Sequence, residues 1–175
     1  MTKRLIRMVI ELLAIGVLIF ADQITKIWAV STLKGGKIIE LIPEILQFNY
    51  LENQGAAFGI LQNQQTFFVI AGAVILFAVF YVLFVTPHEK KYNILNILLV
   101  MIAAGAVGNM IDRVNLGYVV DFIYISAINF PIFNVADCYV TVSTILLALV
   151  ILFYYQEEDF QVYGFKKKEQ NDGTK

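Results

Sequence analysis

Four apolar runs constrain this chain more than any other feature: Met8 to Lys26, Thr66 to Val85, Ile94 to Asp112 and Val135 to Tyr155. Each is close to the ~20 residues that a helix needs to cross the hydrocarbon core of a bilayer. Composition agrees: 59% of residues are hydrophobic, 15% are charged and the mean hydropathy is +0.71, values that a soluble domain of this size would not reach. The first run resembles a signal peptide, with Lys3, Arg4 and Arg7 ahead of it. It ends in "LIFADQ" without a small-x-small cleavage signal and therefore reads as an uncleaved span.

The expected fold class is an all-α membrane bundle of four transmembrane helices with a small extracytoplasmic β-hairpin or sheet cradle. With three prolines, no low-complexity tract and no internal repeat, residues 1–155 read as one domain, with outer loops at 31–65 and 113–134. Residues 156–175 read as a charged cytoplasmic tail with a frayed end. Basic residues cluster before the first run, in "HEKKY" (His88 to Tyr92) and at Lys166 to Lys168. The other two loops hold fewer for their length, Lys34 and Lys37 in one and Arg113 in the other. The positive-inside rule then predicts a multi-pass protein with both termini in the cytoplasm.

Both outer loops carry strand signals. Leu46, Phe48 and Tyr50 alternate with Gln47 and Asn49, the period of a half-buried strand, and "LIPEI" (Leu41 to Ile45) supplies a turn. The apolar content of this hairpin predicts that it rests on the outer membrane surface. "LGYVVDFIYI" (Leu116 to Ile125) is also β-like and holds Asp121 in its middle.

An ionisable residue within a span costs roughly 2.5–3.5 kcal/mol on insertion scales, so such residues face a bundle interior and mark function. In the fourth run Asn134, Asp137, Thr141 and Thr144 form one polar stripe. In the third, Gly105, Asn109 and Asp112 share a face, with Arg113 just beyond. In the first, Asp22 and Lys26 are an i, i+4 pair. All three clusters are predicted at the extracytoplasmic end, where they converge.

Several chemistries fail at that point. The single histidine, His88, lies a bilayer away from the single cysteine, Cys138, which excludes a Cys–His dyad. No H-E-x-x-H or Cys/His cluster offers a metal site. One cysteine excludes an intramolecular disulfide framework, and a net charge of −1 gives no nucleic acid partner. A Ser–Lys dyad around Lys26 would have Ser31, Ser126 or Ser143 to draw on, with no spacing that selects one. Carboxylates remain. Two close carboxylates share a proton, so that one acts as base on a water while the other polarises the scissile carbonyl. Asp137 opens the fourth helix and Asp121 precedes a short excursion that returns to it, which makes them the natural pair. Asp112 with Arg113, and Asp22 with Lys26, read as self-neutralising structural pairs. Cys138 reads as a small packing residue.

"DQITK" (Asp22 to Lys26), "NQGAAFGIL" (Asn53 to Leu61), "GNMIDR" (Gly108 to Arg113), "VVDFI" (Val119 to Ile123) and "FNVADCYV" (Phe133 to Val140) occur in the order seen in lipoprotein signal peptidases, the signal peptidase II family. The resemblance covers about Met8 to Tyr155. It implies a membrane aspartic endopeptidase that needs no cofactor or metal and has Asp121 and Asp137 as catalytic dyad. It implies substrate-binding or supporting roles for Asn53, Asn109, Arg113 and Asn134, and structural or supporting roles for Asp22, Lys26, Gly55, Gly108 and Asp112. The implied substrates are diacylglyceryl-modified prolipoproteins, cut just before the lipidated cysteine, with membrane lipids around them and cyclic depsipeptides of the globomycin type as inhibitors. The alternatives are a small carboxylate-dependent proton or cation carrier and a non-enzymatic adaptor. A carrier would spread its acidic residues through the membrane depth, whereas here only Glu11 lies near the other face.

Overall fold

The computed structural model describes residues 2–55 and 60–164; Ala56 to Gly59 of the "NQGAAFGIL" stretch and Lys166 to Lys168 lie outside the described residues. In chain order come α1 (Thr2–Leu33), β1 (Ile39–Ile42), β2 (Leu46–Asn53), α2 (Gln65–Val85), α3 (Asn93–Leu116), β3 (Val119–Ile125) and α4 (Val135–Phe153). Short 3-10 turns occupy Lys90–Tyr92, Ser126–Ile128 and Glu157–Tyr163.

The molecule is mostly helical. Among the described residues, three helical segments, Gln65–Val85, Lys90–Leu116 and Val135–Phe153, are long and apolar enough to cross a membrane. The third predicted run is the central one: more than half of it is buried inside the protein, whereas α2 and α4 are mostly exposed. The apolar side chains of α2 and α4, such as Phe77 and Leu152, point outward as lipid-facing residues would. α1, α2 and α4 all pack on α3. Their shared core includes Ile15, Val79, Leu83, Leu99 and Ala103. Arg7 ties α1 to the end of α2 by donating to the carbonyls of Leu83 (3.0 Å), Thr86 (2.9 Å) and Pro87 (3.2 Å), the kind of acceptors a helix C-terminus leaves unpaired.

Two helices run further than the apolar pattern predicted, because only glycine stops them. α1 continues past Lys26 until Gly36, at φ 84°, donates back to the Leu33 carbonyl (3.0 Å). α3 continues past Asp112 until Gly117, at φ 80°, donates to the Arg113 carbonyl (3.1 Å). Such left-handed stops cost glycine no Cβ clash.

The extra turns of α1 matter, since the sheet sits on them. β1, β2 and β3 form a three-stranded antiparallel sheet in that order, so the predicted hairpin gains its third strand from the second loop. Ala29 and Leu33 of α1 are buried against Val120 and Phe122 of β3. Trp28, Phe48 and Phe122 close the seam with edge-to-face ring contacts at 5.2 to 6.1 Å. β2 and β3 pair Leu51 with Asp121 and Asn53 with Val119, with a register irregularity between Phe48 and Leu51.

Two expectations fail. Thr144 is exposed, and the buried hydroxyl of that part of α4 is Ser143. The segment after Gln156 is not frayed at its start: Glu157–Tyr163 forms a 3-10 turn whose Asp159 accepts from Lys91 (2.6 Å), while Phe160 and Tyr163 pack on the bundle core. The aromatic residues interspersed among its charges supply that contact.

Candidate active site

α4 begins where the chain returns to β3. Phe133 bridges Ile123, donating to its carbonyl (3.0 Å) and accepting from its N–H (2.8 Å), so the next residue, Asn134, is delivered beside the sheet. Asn134 is the extended N-cap of α4. Its side-chain oxygen accepts from the Asp137 N–H (2.9 Å) while Asp137 Oδ2 accepts from the Asn134 N–H (3.1 Å), a reciprocal capping box.

A capping role accounts for only one Asp137 oxygen. The other, Oδ1, accepts from Asn109 Nδ2 of α3 at 2.7 Å. Asn134 also reaches the second aspartate, donating from Nδ2 to Asp121 Oδ1 at 2.7 Å. Asp121 Oδ2 accepts from Asn53 Nδ2 at 2.8 Å. The β2–β3 register explains that contact: Asn53 faces Val119, so Asp121 is its diagonal neighbour on the same face. Each of the four carboxylate oxygens thus receives one N–H, and one residue, Asn134, serves both aspartates.

Asp121 is 1% exposed. Burial pushes its carboxyl from the ordinary 3.8 up to about 7, and the neighbouring Asp137 charge adds to the rise; the bonds from Asn53 and Asn134 oppose it. A carboxyl of this kind keeps its proton close to neutrality. The two aspartates open onto a cavity of about 490 Å³, together with Asn53, Asn109 and Arg113. Its further wall, with Ile128, Ile132 and Val142, is apolar. Such a place suits acid–base attack of water on a carbonyl attached to an apolar group.

The polar residues of α1 lie behind this pair. Lys26 Nζ is within 3.0 Å of Asp22 Oδ2, 2.9 Å of Asp112 Oδ2 and 2.9 Å of Asn109 Oδ1. The expected Asp112–Arg113 pair does not form. Asp112 is buried against Lys26, whereas Arg113 donates to the Gly55 carbonyl (3.3 Å) and places its guanidinium 4.6 Å from the centre of the Phe68 ring. Consecutive helix residues point about 100° apart, so the two cannot share a partner.

Gly55 and Gly108 sit at close approaches. A Cβ on Gly108 would fall 2.6 Å from Asp22 Oδ2, and one on Gly55 2.5 Å from the Ile60 carbonyl oxygen. Gly105 is the tightest helix–helix contact of the site, its absent Cβ 2.5 Å from the Ala136 carbonyl oxygen. Cys138 is half-buried on the cavity wall, and His88 lies in the turn between α2 and α3.

Two participants escaped the sequence reading. Gln23 donates to Asp22 (3.2 Å), to the Gly108 carbonyl (3.2 Å) and to Asp112 (3.1 Å); its signal was a second polar residue beside Asp22 in an apolar run. Phe68, which carries the Arg113 guanidinium, looks like any other lipid-compatible residue of α2 and left no signal.

The family model for signal peptidase (SPase) II matches residues 14–153 of this chain. The lipoprotein signal peptidase of Streptococcus pyogenes serotype M5 (strain Manfredo) is 41% identical over 148 residues, which cover 85% of this chain and 94% of that protein. The protein of the same description from serotype M3 is 40% identical over the same shares. Two solved structures, each described as a bacterial membrane enzyme determined by the in meso method, at 2.3 and 1.9 Å resolution, superpose with TM-scores of 0.71 and 0.71. They are 34% and 37% identical to this chain and cover 90% and 83% of it, and 93% and 94% of their own lengths.

Proposed function

Because the chain belongs to the signal peptidase II family, we propose that Asp121 and Asp137 are the catalytic dyad of this aspartic peptidase. The protein is a multi-pass membrane enzyme that removes signal peptides from prolipoproteins. The observation that supports the dyad is the shared donor Asn134, which holds one oxygen of each carboxylate beside the same cavity.

At working pH the pair carries one proton. The ionised carboxylate takes a proton from a water, whose oxygen attacks the scissile carbonyl, while the protonated one donates to the carbonyl oxygen. As the tetrahedral intermediate collapses, the carboxyl that took the water proton gives it to the amine nitrogen and the C–N bond breaks. The other carboxylate takes the proton back from the intermediate's hydroxyl, which restores the monoprotonated pair. Asp121, raised to about 7, is suited to be the protonated member near neutrality. Arg113, on the same cavity, is placed to hold a substrate carbonyl, and Asn53 and Asn109 keep the carboxylates aimed.

The cavity wall supports a lipidated substrate. A diacylglyceryl-modified cysteine presents two acyl chains beside the bond to be cut, and the apolar residues Ile128, Ile132 and Val142 flank the aspartates. Cleavage just before that cysteine leaves its lipid in the membrane. Cyclic depsipeptides of the globomycin type would compete for the same wall. α1, 32 residues long and lined with exposed Leu13, Val17 and Phe20, serves as the fourth span. Both termini are cytoplasmic, the dyad faces the outer leaflet, and residues 1–155 act as one peptidase domain with the segment from 156 on the cytoplasmic side. Family membership leaves the carrier reading without support.

Cleavage of a diacylglyceryl-modified precursor peptide in detergent tests the assignment. Asp121→Asn and Asp137→Asn should each lose at least about 1,000-fold in kcat, and the double variant should be little worse, because the two act as one unit. Turnover above about a tenth of wild type in either single variant would mean that the wrong pair was chosen.

A further inference from the structure

The buried lysine of α1 has no place in the peptidase chemistry, yet each of its three polar contacts leads to one of the two aspartates or to the residue just before it. Lys26 is 2% exposed and does not line the dyad cavity. Its ammonium has three N–H groups and three acceptors at hydrogen-bond distance: Asp22 Oδ2 (3.0 Å), Asp112 Oδ2 (2.9 Å) and Asn109 Oδ1 (2.9 Å).

Each acceptor leads on. Asp22 Oδ1 accepts from the backbone N–H of Ala136 (2.9 Å), the residue immediately before Asp137. Asp112 Oδ2 accepts from the backbone N–H of Val120 (3.1 Å), the residue immediately before Asp121. Asn109 donates to the Asp137 carboxylate itself (2.7 Å). An ammonium can only donate, so it holds the Asn109 carbonyl toward α1 and leaves the NH2 end for Asp137. A second donor, Asn134 Nδ2, also faces that carbonyl (3.0 Å) and favours the same orientation.

We infer that Lys26 is a positioning residue for the peptidase reaction: one buried ammonium sets the backbone ahead of both aspartates and the amide that aims Asp137. The inference rests on Asp121 and Asp137 being the dyad. Charge balance alone is a poor explanation for such a lysine. Two carboxylates against one ammonium leave the cluster with an excess negative charge, and neutralisation does not require that both carboxylates also bind the backbone N–H ahead of each aspartate. The other charged groups around the dyad are Arg113 of α3, directed to Gly55 and Phe68, and the aspartates themselves.

The test is steady-state cleavage of a diacylglyceryl-modified precursor peptide by the full chain in detergent, with rates normalised to folded protein. Lys26→Gln removes the ammonium, leaving Asn134 as the remaining donor that orients the Asn109 amide and releasing the backbone contacts made through Asp22 and Asp112. Because a displacement of about 1 Å can cost roughly 100-fold in rate, kcat should fall by about that factor, with KM within about twofold since the lysine lies behind the cavity wall and does not itself line the cavity. A purely structural lysine would lower the melting temperature or yield and leave kcat per folded molecule unchanged; that result overturns the inference. Lys26→Gln also leaves two buried carboxylates without a counter-charge. The double variant Asp22→Asn/Lys26→Gln keeps the net charge of the cluster and should show the same split between kcat and KM. A double variant that fails to fold assigns the contact to stability and overturns the inference as well. Asp137→Asn in the same assay separates the two readings. If it stays active the dyad assignment fails; if it is inactive while the double variant turns over normally, only the role of Lys26 fails.

Discussion

Replacing Asp121 with asparagine removes a titratable group that β3 buries almost completely, and with it a stability penalty that grows with pH. In the folded chain the carboxyl holds its proton up to about 7, against an ordinary value of 3.8. Below 3.8 both folded and unfolded chains are protonated at this site and no penalty applies. Between that value and about 7 the unfolded chain releases the proton and the folded chain does not, so stability falls as pH rises. Above about 7 both are ionised and the curve is flat. At roughly 1.4 kcal/mol per pH unit the whole gap is worth about 4 kcal/mol, of which about 3 kcal/mol falls between pH ~5 and ~8. Asp121→Asn abolishes that slope. It also turns an NH2 toward Asn53 or Asn134, both donors, at a cost of about 1–3 kcal/mol for the mismatched contact. That cost does not vary with pH, so the difference in slope isolates the carboxyl. Unfolding free energy from reversible SDS titration in mixed micelles, taken from pH ~5 to ~8, should fall about 3 kcal/mol more steeply in wild type than in the variant. Parallel curves would refute the reasoning, and with it the idea that Asp121 carries the shared proton.

Gly105→Ala places a methyl 2.5 Å from the Ala136 carbonyl oxygen; overpacking of this kind costs about 1–3 kcal/mol, and because Ala136 precedes Asp137 the variant should lose turnover by more than about tenfold while still folding, as judged by its melting curve and cleavage rate. Cys138→Ala should keep most activity, since the thiol donates to neither aspartate; near-complete loss with folding intact would revive a thiol mechanism. Alkylating the wild-type thiol with a bulky reagent should inhibit by filling the cavity wall, and should have no effect on Cys138→Ala. For topology, single cysteines at Lys34 and Asn129 in the Cys138→Ala background should react with an impermeant thiol reagent on intact cells and one at Lys90 should not; the reverse pattern overturns the orientation.

Much of the architecture was legible in the residues because a bilayer allows few solutions. A run of about twenty apolar residues must be helical to cross it, and three of the four predicted runs are helices long and apolar enough to do so. The strand period of Leu46, Phe48 and Tyr50 located β2, and the insertion cost of Asp22, Asn109 and Asp137 marked them as facing inward. Helix ends were less legible: the hydropathy of α1 fades at Lys26, but its backbone continues to Leu33, because only Gly35 and Gly36 break it.

Residue identity and order alone determined which side chains could do acid–base chemistry here and near which end of their helices they lie. Which of them touch was decided by the tertiary structure. Asp112 and Arg113 are neighbours in the chain, yet the 100° turn between them sends one to Lys26, 86 positions from Asp112 in the sequence, and the other to Gly55 and Phe68. Likewise Asn53 meets Asp121 across 68 positions, through a strand register that depends on an irregularity between Phe48 and Leu51. Local chemistry sets what a residue can donate or accept, but a buried donor finds its acceptor only where packing places one within about 3 Å, and in this chain the Gly105 and Gly108 contacts let α3, α1 and α4 approach closely enough for that.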